Sequence, residues 1–228
     1  MSYEVNVHVW GERALFTRPE MSVERVSYDV ITPSAARGII EAVHWKPAIK
    51  WNIDSITVLN PIRFESIRRN EIGSKISAIS VGKAMKSGDL DKLTACVEDD
   101  RQQRASTILR DVGYVIAAHF ELTSKAGPED NLAKHHAIFT RRARKGQCFQ
   151  QPCLGVREFP ANFRLIEDDS MMPVAHKDLK GHRDLGLMLR EIDFANNATP
   201  SFFHAQMIDG VIQVPLMEGQ SRDPFCPE

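Results

Sequence analysis

The alternation of apolar and polar positions is clearest at the start of the chain. Val5, Val7 and Val9 alternate with Asn6 and His8, which predicts a half-buried strand over 4–10 that ends at Gly11. Thr32-Pro33-Ser34 then supplies an N-cap residue followed by a proline suited to a first helical position. Ala35, Ala36, Ile39, Ile40 and Val43 form the apolar stripe of the helix this opens, and Pro47 stops it. Residues 51–64 (Ile53, Ile56, Val58, Leu59, Ile62, Phe64) read as a long second strand, with a bend or edge position at Pro61. From 66 to 108 the periodicity is lost. Arg68, Arg69, Lys75, Lys83, Lys86, Lys92, Arg101 and Arg104 surround Glu98-Asp99-Asp100 there, as in a long functional or mobile excursion from a core.

Periodicity returns at 112–122, with Tyr114, Ile116, Ala118 and Phe120 on one face of a third strand. After a turn at Lys125-Ala126-Gly127-Pro128, the residues Glu129, Asp130 and Asn131 open a second long helix. Acid there suits the positive end of the helix dipole. This helix runs to Lys145 and ends at Gly146. A fourth strand is expected over 154–163, and further strands over 187–194, 202–208 and 211–214. The last two are joined by the Asp209-Gly210 turn of a hairpin. Strand, helix, strand, strand, helix, strand is the split βαβ, or ferredoxin-like (RRM-like), order. The expected class is therefore α+β. Residues 1–165 form the βαββαβ core with an insertion at 66–108, and residues 166–228 form a C-terminal antiparallel β-rich extension.

Composition changes this picture little. The 228 residues are 43% hydrophobic, enough for one substantial core or a core with an appendage. The net charge of −1 means that a nucleic-acid surface would need local separation of charge. Cys96, Cys148, Cys153 and Cys226 match no C-x-x-C pair and read as free thiols of a reducing cytosol. Neither a signal peptide nor a run long enough to span a membrane is present. The chain is expected to be soluble and cytoplasmic. No H-E-x-x-H, Walker A, G-x-G-x-x-G or G-x-S-x-G motif occurs, so no metal or other cofactor is expected.

Three stretches carry candidate chemistry. Lys134, His135 and His136 lie in the first turns of the second helix, and Arg141, Arg142, Arg144 and Lys145 lie in its last. Cations at a helix C-terminus complement its dipole; they also make a surface that could face RNA. Histidine beside lysine is what RNA cleavage without a metal requires: a base for the ribose 2′-hydroxyl, an acid for the leaving oxygen, and a cation at the phosphate. His44-Trp45-Lys46-Pro47 at the first helix end offers an aromatic to stack on a base and a cation for a phosphate, or alternatively a buried Trp45 with two last-turn cations. The glycine-bounded stretch 146–155 could present backbone amides to phosphates.

In order along the chain stand Trp10-Gly11, Ala14-Leu15-Phe16-Thr17, Ser27-Tyr28 and Pro33-Ser34-Ala35-Ala36-Arg37-Gly38. Glu41-Ala42-Val43-His44-Trp45-Lys46-Pro47, Asn131-Leu132-Ala133-Lys134-His135 and Leu154-Gly155-Val156-Arg157-Glu158-Phe159 follow. Together they resemble the Cas-five-d (Cas-five-c) family of the subtype I-C CRISPR system. The resemblance covers most of the chain and thins over 70–100 and after 215. It implies a metal-independent endoribonuclease that cuts the repeat hairpin of precursor CRISPR RNA. It also implies that the protein stays on the mature 5′ handle and joins the backbone and large subunits of the I-C Cascade complex. The family's lysine–histidine pair falls on Lys134 and His135, and its tyrosine falls on His44. His136 is the alternative stand-in for that tyrosine. Expected RNA-binding residues are Arg37, Trp45, Lys46, Arg68, Arg69, Arg141, Arg142, Arg144 and Lys145. A non-cleaving subunit that only holds the 5′ handle is the alternative. A metal-dependent DNA nuclease is a more distant one, for which no carboxylate cluster stands out.

Overall fold

The computed structural model describes residues 3–90, 93–94, 96–193 and 196–215. Lys92, Phe194, Cys226 and residues 216–228 of the expected C-terminal extension lie outside that set. Strands are β1 (Val5–Ala14), β2 (Arg25–Val26), β3 (Ile49–Val58), β4 (Phe64–Ile72), β5 (Arg101–Leu122), β6 (Asn162–Ile166), β7 (His182–Asp193), β8 (Thr199–Ile208) and β9 (Val211–Gln213). Helices are α1 (Pro33–Val43), α2 (Ala78–Ser87), α3 (Val97–Asp100) and α4 (Leu132–Arg144). The molecule is thus mixed α/β, with one large, mainly antiparallel sheet and few helices.

Nine strands join in that sheet, in the order β6-β1-β5-β3-β9-β8-β7, with β2 and β4 also paired to β5. Within β6-β1-β5-β3 every neighbour is antiparallel. The chain passes from β1 through α1 to β3, skipping over β5, and from β5 through α4 to β6, skipping over β1. Registers such as Val7↔Ile116 and Ile53↔Ala118 place the apolar sets of three strands on one face. Ile39, Ile40 and Val43 of α1 and Phe139 and Ala143 of α4 cover that face in a single buried cluster. At its centre the Trp51 ring meets Phe120 at 4.8 Å and Phe139 at 4.9 Å, tying β3, β5 and α4 together. The C-terminal strands continue the same sheet, because β9 pairs with β3. Among the described residues no helix is long and apolar enough to cross a membrane.

Several boundaries differ from the sequence expectation, each for a local reason. β1 runs through Gly11 to Ala14. A Cβ at Gly11 would lie 2.4 Å from Leu154 Cδ1, so this glycine permits close packing and does not end the strand. The single strand expected over 51–64 is two: β3 stops at Val58, and Pro61 separates it from β4. The excursion at 66–108 is largely a β-ribbon. Its strands pair from Phe64↔Leu109 to Ile72↔Arg101, with α2 and α3 at the far end. Asp111 (φ 53°) marks the kink where β5 leaves the core for this arm. Most of the strand expected over 154–163 is loop, because Gly155 takes φ 90° and a Cβ there would lie 2.0 Å from Leu15 O. Apart from a single bridge between Cys153 and Pro160, only its end pairs, as β6. The expected Asp209-Gly210 hairpin is present, with both residues at positive φ and Ile208 opposite Val211.

Candidate active site

α1 begins where the sequence predicts. Thr32 is its N-cap, with the side-chain oxygen accepting from Ala35 N at 3.2 Å, and Pro33 sits in the first turn. Its end builds the site. The helix stops at Val43, before Pro47, because His44 turns to extended backbone (φ −153°, ψ 118°). The buried Trp51 indole donates to His44 O at 2.8 Å and fixes that turn. The His44 ring is thereby directed inward toward α4.

α4 is capped by Asn131, whose side-chain oxygen accepts from Lys134 N at 2.8 Å. His135, Phe139 and Arg142 follow at i, i+4 and i+7, one stripe of the helix facing the end of α1. His135 Nδ1 lies 3.0 Å from His44 Nε2, and the two rings stack at a centroid separation of 5.3 Å. At the other end of α4, Arg142 donates to Val43 O at 2.9 Å and lies 3.5 Å from His44 Nδ1. A guanidinium there satisfies a free carbonyl at the C-terminus of α1. His135 Nε2 is 3.2 Å from Asp130 Oδ1, and the same oxygen receives Lys134 Nζ at 3.5 Å.

The result is a chain of contacts, Arg142–His44–His135–Asp130–Lys134. The ends set its proton positions: arginine only donates and an ionised carboxylate only accepts. His135 therefore donates from Nε2 to Asp130 and accepts at Nδ1 from His44 Nε2–H, and His44 Nδ1 is left as the acceptor facing Arg142. His44 is neutral in this arrangement. Burial, first of all, together with the neighbouring His135, Arg142 and Lys46, pulls the His44 pKa down to about 4. Asp130 is held below the usual carboxylate range, foremost by the Gly127 backbone N–H at 3.0 Å and then by Lys134 and His135.

Exposure separates the members. His44 and His135 are 1% and 2% exposed, whereas the Lys134 side chain is 43% exposed. His136 stands apart from this network: its ring packs on Tyr3 at 5.3 Å. Trp45 is 52% exposed, so it does not cap the helix from inside, and Lys46 beside it is exposed as well.

The other expected RNA contacts divide. Arg141 and Lys145 are exposed at the end of α4, and Arg141 makes no ion pair among the described residues. Arg68 is exposed on the arm. Arg37, about two turns before His44 on α1, is engaged by Glu191 of β7 and by Glu41. Arg144 is paired twice with Glu167, at 2.7 and 2.8 Å. Arg69 lies between Glu71 and Glu158, at 2.7 and 2.6 Å. Arg142 points inward to His44. Sequence reasoning missed the role of Asp130, treated there only as a complement to the dipole; the available signal was its place just before the Asn131 cap and five residues before His135.

The chain is similar to known proteins along nearly its whole length. Residues 5–215 match the family model described as CRISPR-associated protein (Cas_Cas5). The chain is 60% identical over 216 residues to the CRISPR pre-crRNA endoribonuclease Cas5d of Mannheimia succiniciproducens, an alignment spanning 94% of this chain and 96% of that one. It is 38% identical over 235 residues to the CRISPR pre-crRNA endoribonuclease Cas5d of Thermus thermophilus, spanning 95% and 93%. A solved structure described as a CRISPR-associated protein superposes with a TM-score of 0.69 at 26% identity, covering 96% of this chain and 94% of that chain.

Proposed function

The chain belongs to the Cas5d family of CRISPR-associated proteins, and from that premise we propose that it is an endoribonuclease that cuts repeat RNA in precursor CRISPR transcripts. The observation carrying this reading is the meeting of His44, 91 residues distant in sequence, with the Lys134-His135 pair at 3.0 Å. Two segments that resemble the family's catalytic motifs thus form one hydrogen-bonded unit.

In the proposed reaction a ribose 2′-oxygen attacks the adjacent phosphorus. The 2′,3′-cyclic phosphate forms, the P–O5′ bond breaks, and the departing 5′-oxygen takes a proton. No divalent ion is required. Lys134 and His135 Nε2 converge on one anionic oxygen, Asp130 Oδ1, and that convergence supports placing a phosphoryl oxygen of the bound RNA there in exchange for the carboxylate. Lys134 then offsets the charge that builds on the phosphate, and His135, released from Asp130, takes the proton that the 2′-hydroxyl loses and returns one to the departing 5′-oxygen. His44, neutral at physiological pH, sits behind His135 and sets its tautomer, a narrower role than direct acid–base exchange with RNA.

The remaining assignments extend this proposal. The strand order β6-β1-β5-β3 with its two skipping helices supports a ferredoxin-like core over 1–165, with 166–228 as an extension. Trp45, Lys46, Arg68, Arg141 and Lys145 are the exposed candidates for holding the RNA. Retention on the mature 5′ handle, assembly with the backbone and large subunits of a subtype I-C surveillance complex, and cytoplasmic location complete the reading. One observation favours a second reading, a subunit that holds the handle without cutting: both imidazoles are buried, with every ring nitrogen engaged.

Incubating the purified full chain with its cognate repeat RNA in chelator separates the two. Cleavage by the wild type, abolished in His135→Ala and reduced about a hundredfold or more in Lys134→Ala, is the expected result. Undiminished cutting by His135→Ala, or an absolute need for Mg²⁺, overturns the mechanism. Tight RNA binding with no cutting by the wild type establishes the second reading.

A further inference from the structure

The loop that follows α4 presents a phenylalanine to solvent beside the candidate active site, and nothing in the proposed reaction uses it. Phe149 is 86% exposed, an unfavourable place for so large an apolar ring. Its backbone is nonetheless anchored. Phe149 N donates to Ala42 O at 2.7 Å and Gln147 N donates to Arg142 O at 2.9 Å, so the loop is tied to the ends of both α1 and α4. Further along, Leu154 N donates to Phe159 O at 2.8 Å, Leu15 N donates to Leu154 O at 3.0 Å, and Gln151 Nε2 donates to Ala161 O at 3.1 Å.

Trp45, 52% exposed, leaves the same helix end three residues after Ala42. Chain geometry limits its Cα to at most about 15 Å from that of Phe149, a span of a few nucleotides. Lys46, Arg141 and Lys145 are exposed on the same two chain ends. Flat rings on anchored backbone, set among cations, are the arrangement that holds single-stranded nucleic acid by stacking.

We propose that Phe149 and Trp45 form a pair of stacking platforms for unpaired bases of the RNA flanking the cut. The proposal rests on the RNA-processing reading above. The cations favour a polyanion over an apolar protein partner, and stacking tolerates any base, so this subsite positions the strand and does not read its sequence.

The test uses the full chain and repeat RNA made uncleavable by 2′-deoxy substitution at the cut position mapped with the wild type. Phe149→Leu keeps apolar bulk and removes the ring face; Phe149→Tyr keeps the face. Expected is a loss of about tenfold in affinity for Phe149→Leu and less than twofold for Phe149→Tyr. The difference disappears on an RNA in which the flanking nucleotides are paired into duplex. The substituted side chain is exposed, so the melting temperature is unchanged. Phe149→Leu binding within twofold of wild type on the unpaired substrate, or an equal loss on the duplex, overturns the stacking site and leaves the RNA-processing reading intact. A wild type that binds no repeat RNA overturns both.

Discussion

His44 combines positions that an exposed histidine never meets together: a helix terminus, a buried pocket, a second imidazole and a guanidinium. Its free energy of ionisation couples directly to folding. In the unfolded chain it titrates near the ordinary value of 6.5; in the fold its pKa is about 4. The unfolded state therefore binds the proton more readily between those values. The stability that neutral His44 contributes is fully present above pH 6.5 and is lost as pH falls toward 4. At about 1.4 kcal/mol per unit, the loss by pH 4.5 is roughly 2–3 kcal/mol. His44→Gln removes the titration and keeps an amide donor for His135. Urea unfolding at pH 7.5 and 4.5 is expected to show a smaller acid loss in His44→Gln than in wild type, by about 2 kcal/mol. Equal losses in the two proteins would show that His44 does not titrate as described. The Lys134-His135 pair was legible from residue types alone only as an ambiguous cation cluster. His44 was singled out with Trp45 as a helix end, and Asp130 was invisible as a partner, because a hydrogen bond that reaches back from the body of a helix to the residue before its cap leaves no periodic trace.

At the scale of elements, charge read from sequence needs sorting by what each side chain touches. Arg37 of α1 is paired with Glu191 of β7, and the two side chains are 16% and 19% exposed. This pair fastens a helix to the C-terminal strands. Arg141 of α4 is exposed and carries no such pair among the described residues. Arg37→Ala leaves Glu191 largely buried without its partner and is expected to cost about 2 kcal/mol. That lowers the melting temperature by about 4–8 °C, while the salt dependence of RNA binding is unchanged. Arg141→Ala is expected to do the reverse: an unchanged melting temperature and a salt slope reduced by about one. Thermal melts and binding titrations over a range of salt check both, and an Arg37→Ala protein with normal stability and a reduced slope would refute the division. The same distinction explains why the arm was unreadable. β4 alternates between exposed and half-buried positions, but its few apolar residues are split between the two faces, Phe64 and Ile72 on the exposed one and Ile67 on the other, so a pattern built on hydrophobicity sees no strand. The start of α1, whose apolar stripe faces a core and whose cap is Thr32-Pro33, was legible to the residue, whereas its end at Val43 was expected at Pro47.

At the scale of the molecule, the order of the first six major elements was legible because each buried strand and helix carries its own period. How the C-terminal strands attach was not, because pairing between β9 and β3 links positions more than 150 residues apart, such as Ser55↔Gln213, with no local signal. That attachment has an energetic consequence. Leu185 and Met188 of β7, Ala205 and Met207 of β8, Ile212 of β9 and Val214 lie in the same buried cluster as Val7, Ile40, Trp51 and Ile116. Removing the last strands would expose the edge of β3 and one flank of α1, which packs on β7 as well as β3. A chain with two independent cores melts in two steps, whereas one continuous core passes through a single cooperative transition. Calorimetry of the full chain is therefore expected to give one peak, with calorimetric and van't Hoff enthalpies equal within error. A version ending at residue 166 is expected to lack a cooperative transition. Two resolved peaks, or a folded and cooperative 1–166 fragment, would show that the sheet is continuous in its hydrogen bonds but divided in its stability. The core formed by the first six strands would then stand without the strands that Arg37 and β9 hold against it.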